Sequence, residues 1–183
     1  MNQDLEKIVV DEEQIAKYVQ GAAKWLDEKF KNTDTLPLVI SILKGSVFFF
    51  CDVVRAMKTP VQLDFMTVSS YGDATTSSGV PKIVTDLSVS VRGRDVILLE
   101  DIVDSGNTLL NMRDLLVGRG AKSFTVVTLF DKPSRRQVDV KADYSCHEIG
   151  DEFIVGYGLD YAQKYRNLPY IGVLKREIYE KKN

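Results

Sequence analysis

The chain has 183 residues, a length that predicts one domain. With 44% hydrophobic and 27% charged residues it falls in the ordinary globular range, which excludes a disordered or fibrous protein. The 24 Lys and Arg against 26 Asp and Glu leave a net charge of −2, so no bulk positive field is available to hold duplex DNA or an anionic membrane.

Cys51 and Cys146 form no CxxC pair, and with His147 as the only histidine they cannot build a zinc site of ordinary spacing. Both are expected to be buried free thiols. Acidic Asp4 and Glu6 stand where a secretory leader needs bases. The most apolar run, residues 47–51, stops at Asp52, far short of the ~20 residues that cross a bilayer. The expected setting is the cytoplasm.

After Asp11, the apolar set Ile15, Val19, Ala22, Leu26 and Phe30 recurs at helical spacing, and Asp11 with Gln14 resembles a capping pair, predicting a helix over 12–30. Residues 38–43 are nearly all apolar, as a strand covered on both faces requires. They break at Lys44, Gly45 and Ser46 into an apolar helix through about Met57, and a strand follows near 61–68. Residues 69–81 are hydroxyl-rich with almost no apolar content, a loop length uncommon inside a domain unless it serves as a lid. Residues 96–99 form another buried strand, ending in Glu100 and Asp101; a helix begins near Asn107 or Thr108 and stops at Gly118 or Gly120. Residues 123–130 give the next strand. Such alternation predicts an α/β fold: a mostly parallel twisted sheet flanked by helices. The last fifty residues carry only short strand-like runs and read as a small subdomain over the carboxyl edge, ending in a solvated tail.

Ligands of open parallel sheets sit at the carboxyl ends of the strands. There the stretch from Glu100 to Thr108 delivers two adjacent acids, then Asp104, then a small-residue turn opening a helix. Asp104, Ser105, Gly106, Asn107 and Thr108 can turn backbone N–H groups and two hydroxyls toward one anion, which is how a phosphate monoester is held without a lysine. Glu100 and Asp101 would repel that phosphate, so they must face Mg²⁺ or sugar hydroxyls. The plainer alternative is a strand–turn–helix with Asp104 as cap and solvated acids. Lys44, Gly45 and Ser46 form a second strand-to-helix turn suited to another phosphate.

Other matches fail. Residues 118–123 lack the first glycine of a Walker A loop and lead into a strand, and residues 156–161 have Tyr161 where a dinucleotide fingerprint needs its third glycine. No GxSxG is present.

The run from Glu100 to Thr108 resembles the phosphoribosyl-diphosphate motif of the type I phosphoribosyltransferase family. Lys44 and Gly45, Ser70 and Tyr71, Lys132, residues 153–161, and Tyr165 through Pro169 follow in that family's order, and the 153–161 and Arg166 matches resemble its 6-oxopurine branch. The resemblance implies that fold, with a core over about 10–130 and a hood mainly from 131–183, an N-terminal contribution to the hood being left open. It implies Mg²⁺-dependent transfer of a phosphoribosyl group to N9 of hypoxanthine or guanine, giving the purine monophosphate and diphosphate in purine salvage. Residues 104–108 would hold the 5′-phosphate, with Asp104 also acid/base. Glu100 and Asp101 would face the ribose and Mg²⁺, and Asp160 a second Mg²⁺. Lys44, Gly45 and Arg166 would take the diphosphate; Lys132, Phe153, Ile154 and Asp160 would form the purine site; and the loop opened by Ser70 and Tyr71 would close over it. The resemblance further implies a cis peptide between Leu43 and Lys44, a homodimer or homotetramer, small-molecule substrates, and neither nucleic acid nor membrane as partner. A nucleotide-sensing regulator of the same fold is the competing reading, one that could dispense with Lys44, Lys132 and Arg166.

Overall fold

A computed structural model describes residues 3–69 and 82–180; Ser70 and Tyr71, and with them the expected lid, lie outside the described residues. In chain order the elements are β1 (Leu5–Val10), α1 (Glu12–Phe30), β2 (Leu38–Leu43), α2 (Val47–Ala56), β3 (Gln62–Ser69), β4 (Lys82–Thr85), β5 (Asp95–Val103), α3 (Asn107–Gly118), β6 (Ser123–Asp131), a 3₁₀ turn (Pro133–Arg135), β7 (Tyr144–Glu148), β8 (Ile154–Val155), β9 (Ile171–Leu174) and α4 (Arg176–Tyr179).

The larger sheet has the order β4-β3-β2-β5-β6-β7. All neighbours are parallel except β4, which runs antiparallel to β3 at the edge. Central β2 and β5 are apolar almost throughout because helices cover both faces. Alternation sorts their side chains: Val39, Ile97 and Leu99 pack with Phe49, Phe50 and the α1 stripe, whereas Leu38, Ile40, Val96 and Leu98 pack with Leu109, Met112 and Leu116 of α3. α1 forms with the expected bounds. Asp11, extended, accepts the Gln14 N–H at 2.8 Å, and Glu12 and Glu13 sit in the first turn where the helix dipole favours them.

The second sheet is antiparallel, with order β1-β9-β8. β1 pairs Leu5 with Leu174 and Val10 with Ile171, and β8 pairs Ile154 with Val173. No periodic signal announces β1, because it is an edge strand with only Leu5 and Val10 buried. Two further expectations are corrected. Both cysteines are free, but Cys51 is exposed on α2 and Cys146 is only half-buried. The tail is not simply solvated: α4 sets Ile178 and Tyr179 against a cluster that includes Leu5, Val155 and Leu174. Among the described residues no helix is long and apolar enough to cross a membrane.

Candidate active site

β2 and β5 lie side by side, Ser41 level with Leu99. The helix after β2 packs on one face of the sheet and the helix after β5 on the other. Their connecting loops therefore diverge and leave a crevice beyond the carboxyl ends of the two strands, the place where open α/β sheets bind ligands. A cavity of about 370 Å³ fills it, lined by Lys44, Gly45, Glu100, Asp101, Ile102, Asp104, Ser105, Gly106 and Thr108 among others.

The 104–108 turn is built for an anion. Gly106 takes a left-handed conformation, φ +86°, as the N-cap of α3, so no capping side chain occupies the helix start. With no acid in the first turn either, the N-terminal N–H groups remain for a ligand. Asn107 does not line the cavity; its side-chain amide donates to Gln137 Oε1 at 3.1 Å and to Ser105 Oγ at 3.3 Å. Its backbone N–H has only a long hydrogen bond, 3.4 Å to Ser105 Oγ, which an anion oxygen could replace.

Burial disfavours the charged form of the two acids beside the turn. Glu100 is 8% exposed, and burial, then the neighbouring Asp101, pushes its carboxyl well above the usual range. Burial raises Asp101 to about 6, although the Ile102 N–H donates to it at 2.8 Å. Neither carboxylate forms an ion pair among the described residues. The Leu43–Lys44 peptide is cis. Gly45 follows it so close to Asp101 that a Cβ there would push that carboxylate out of its position. No cluster of three or more metal-ligating side chains exists among the described residues. A buried acid pair with open coordination still suits Mg²⁺, which takes one or two carboxylates and completes its shell with water and substrate oxygens.

Lys132, the residue after β6, is 5% exposed; its N–H donates to the Val103 carbonyl at 3.0 Å and its Nζ to the Glu152 carbonyl at 2.7 Å. Burial lowers its pKa, opposed by the charge of Asp104. Phe153 stacks on Tyr179 at 4.8 Å with Tyr161 edge-on at 5.7 Å, and Ile154 is buried in β8. Arg166 donates to the Gly158 carbonyl at 2.7 Å and pairs with Asp160 at 2.7 Å, while its buried Nε has no hydrogen-bond partner. Asp160 is thus committed to Arg166 and to the Gln163 N–H, and stands apart from the cavity lining. Sequence reasoning did not find Tyr179, or Arg135, whose Nε lies 3.8 Å from Asp104 and 3.2 Å from Asp151; neither belongs to a motif or an apolar period. A larger cavity of about 570 Å³ lies between α1, α2 and residues 166–169, but it lacks the acid pair and the amide-lined turn.

This crevice, with its acid pair and its anion turn on a parallel sheet, is that of a phosphoribosyltransferase of type I fold. The chain belongs to the phosphoribosyl transferase domain family, whose model matches residues 7–162. The particular relatives are narrower. A hypoxanthine-guanine phosphoribosyltransferase of Bacillus subtilis is 51% identical over 98% of this chain and 99% of its own, and one from Streptococcus agalactiae is 50% identical over 99% of each. A solved hypoxanthine phosphoribosyltransferase from Staphylococcus aureus superposes with a TM-score of 0.91 at 42% identity, over 97% of this chain and 96% of the other.

Proposed function

We infer that the protein is a hypoxanthine(-guanine) phosphoribosyltransferase, a purine-salvage glycosyltransferase joining a 6-oxopurine to 5-phosphoribosyl diphosphate. The observation that carries this reading is the buried, unpaired Glu100–Asp101 couple beside an anion-ready helix start in one crevice. Relatives at about half identity that bear this name support the choice of base.

In the reaction the bond from the sugar C1 to the diphosphate oxygen breaks, and purine N9 bonds to C1. The transition state is cationic at the sugar. Backbone N–H groups of 105–108 with the Ser105 and Thr108 hydroxyls would hold the 5′-phosphate. Asp104, half exposed at the cavity wall, would take the N7 proton as N9 attacks. Lys44, the Gly45 N–H and Arg166 would stabilise charge gathering on the departing diphosphate. Lys132 would donate to the purine O6 and disfavour a 6-amino group, Phe153 would stack on the ring, and Ile154 would present backbone groups to its edge. Glu100 and Asp101 would face the ribose hydroxyls and hold Mg²⁺, which when bound offsets the diphosphate charge. Asp160 would serve a second Mg²⁺ only after its pair with Arg166 opens. The loop from Ser70 and Tyr71 would exclude water from the cationic sugar. We read about 10–130 as the core, its six-stranded sheet completed by β7 (Tyr144–Glu148) from beyond that bound, and the rest of 131–183 with the N-terminal strand as the hood. The same reading implies a cytoplasmic homodimer or homotetramer that engages small molecules, not nucleic acid or membrane.

The test is turnover with phosphoribosyl diphosphate, Mg²⁺ and each purine in turn. Hypoxanthine and guanine are expected to react and adenine not to. No turnover with either 6-oxopurine would overturn the reading in favour of a regulator.

A further inference from the structure

The segment past the 3₁₀ turn has no part in the chemistry above, yet it forms the underside of the phosphate turn. Past the 3₁₀ turn, residues 136–140 run beneath residues 105–107. The Gln137 N–H donates to the Ser105 carbonyl at 2.9 Å, and Gln137 Oε1 accepts from Asn107 Nδ2 at 3.1 Å. Gly106 lies so near that a Cβ on it would come within 2.7 Å of Val140 Cγ2 and 2.9 Å of Arg136 Cδ. Arg136 is fastened in turn by an ion pair to Asp131 at the end of β6, with side chains only 15% and 17% exposed. The neighbour of Asp131 is Lys132.

We propose that Gln137 is a positioning residue for the 5′-phosphate, held in place by the Asp131–Arg136 pair. Every peptide in a tight turn carries an acceptor as well as a donor, and a carbonyl facing a phosphate repels it. The Gln137 N–H occupies the Ser105 carbonyl and the Gln137 side chain ties down that of Asn107, which keeps that carbonyl from the anion and fixes the turn. Preorganised donors spend no reorganisation energy when the anion arrives. Because Asp131 precedes Lys132, the same clip joins the phosphate turn to the strand end that carries the proposed base-reading lysine. The inference rests on the assignment of residues 104–108 to the 5′-phosphate.

The experiment uses the full-length protein and ribose 5-phosphate as probe, with binding followed by calorimetry alongside steady-state kinetics. Losing the Gln137–Asn107 hydrogen bond in Gln137→Ala is expected to raise both the Kd for ribose 5-phosphate and the KM for phosphoribosyl diphosphate about fivefold. The KM for the purine and the Tm should stay near the parent's, and kcat should change far less than the KM. Gln137→Asn, one methylene shorter with the same backbone, should shift the same two constants. Unchanged ribose 5-phosphate binding in both variants, or a fall in Tm with both KM values rising together, would overturn the inference while leaving the phosphate site intact. If the parent itself binds no ribose 5-phosphate, the assignment of the turn fails and this inference with it.

Discussion

The two ends of β5 carry carboxylates in similar burial and opposite circumstances. At the start, Asp95 is 6% exposed and accepts from Ser123 Oγ at 2.6 Å, Thr33 Oγ1 at 3.1 Å and Lys122 Nζ at 3.2 Å. Burial pushes its carboxyl up, yet those three partners outweigh burial and hold it below the usual range. At the finish, Glu100 and Asp101 have burial with backbone N–H groups but no ion pair or side-chain hydrogen bond among the described residues, and both are held above it. Asp95 is a joint that fastens β5 to the start of β6 and to the α1–β2 connection. The other pair sits in a low-dielectric place that disfavours its charge, which a fold tolerates where a ligand will later supply the compensation.

The largest effect expected lies just beyond the finish. Asp104→Asn keeps the shape of a half-exposed side chain and removes the base. A fall in kcat of about 10²–10⁴, the usual share of general acid–base catalysis, should appear with the Tm nearly unchanged. Measured turnover equal to the parent's would take the proton role from Asp104 and leave the turn a phosphate holder alone. At the opposite end, Asp95→Asn should do the reverse. Replacing a buried, triply satisfied carboxylate should cost on the order of 2–3 kcal/mol of unfolding free energy. Once folded, the variant should turn over at the parent rate, because Asp95 lies at the far edge of the sheet. Chemical denaturation together with kcat reports both numbers, and a lost rate without lost stability would erase the contrast between the two ends.

What the sequence discloses follows the same division between local and distant causes. α1, β2 and β5 were legible because their apolar periods are written in consecutive residues, and the turn at Gly106 because small residues stand between a strand and a helix. Lys44 and Gly45 were legible as a second strand-to-helix turn, but that β2 lies beside β5 was not, because the α/β pattern does not order strands that are not consecutive. β1 and β7 were not legible. Leu5–Val10 and Tyr144–Glu148 are edge strands with mixed polarity, fixed by their partners β9 and β6 and not by their own composition. Tyr179 and Gln137 escaped for that reason too: each matters through one residue far away in sequence, Phe153 and Asn107.

A smaller effect, of unusual sign, separates the two ends most sharply. In the unfolded chain an aspartate releases its proton near its ordinary value of 3.8, whereas Asp101 holds it until about 6. The folded state therefore binds more protons across that interval, and Asp101 lowers stability progressively as pH rises through it, with the full deficit present above. That displacement corresponds to at most about 3 kcal/mol. Without substrate or divalent cation, Asp101→Asn should be more stable than the parent at pH 7.5, should lose that advantage as pH falls toward 4, and should turn over poorly at every pH. Asp95 has its proton affinity lowered by folding, so its contribution is present at neutral pH and disappears on acidification. Denaturant midpoints of the parent, Asp101→Asn and Asp95→Asn between pH 4 and 7.5 would show the two differences from the parent with opposite signs at neutral pH, both shrinking toward acid. An Asp101→Asn variant no more stable than the parent at pH 7.5 would mean that the acid pair is already compensated in the free protein, and the reason for assigning it to a ligand would be gone.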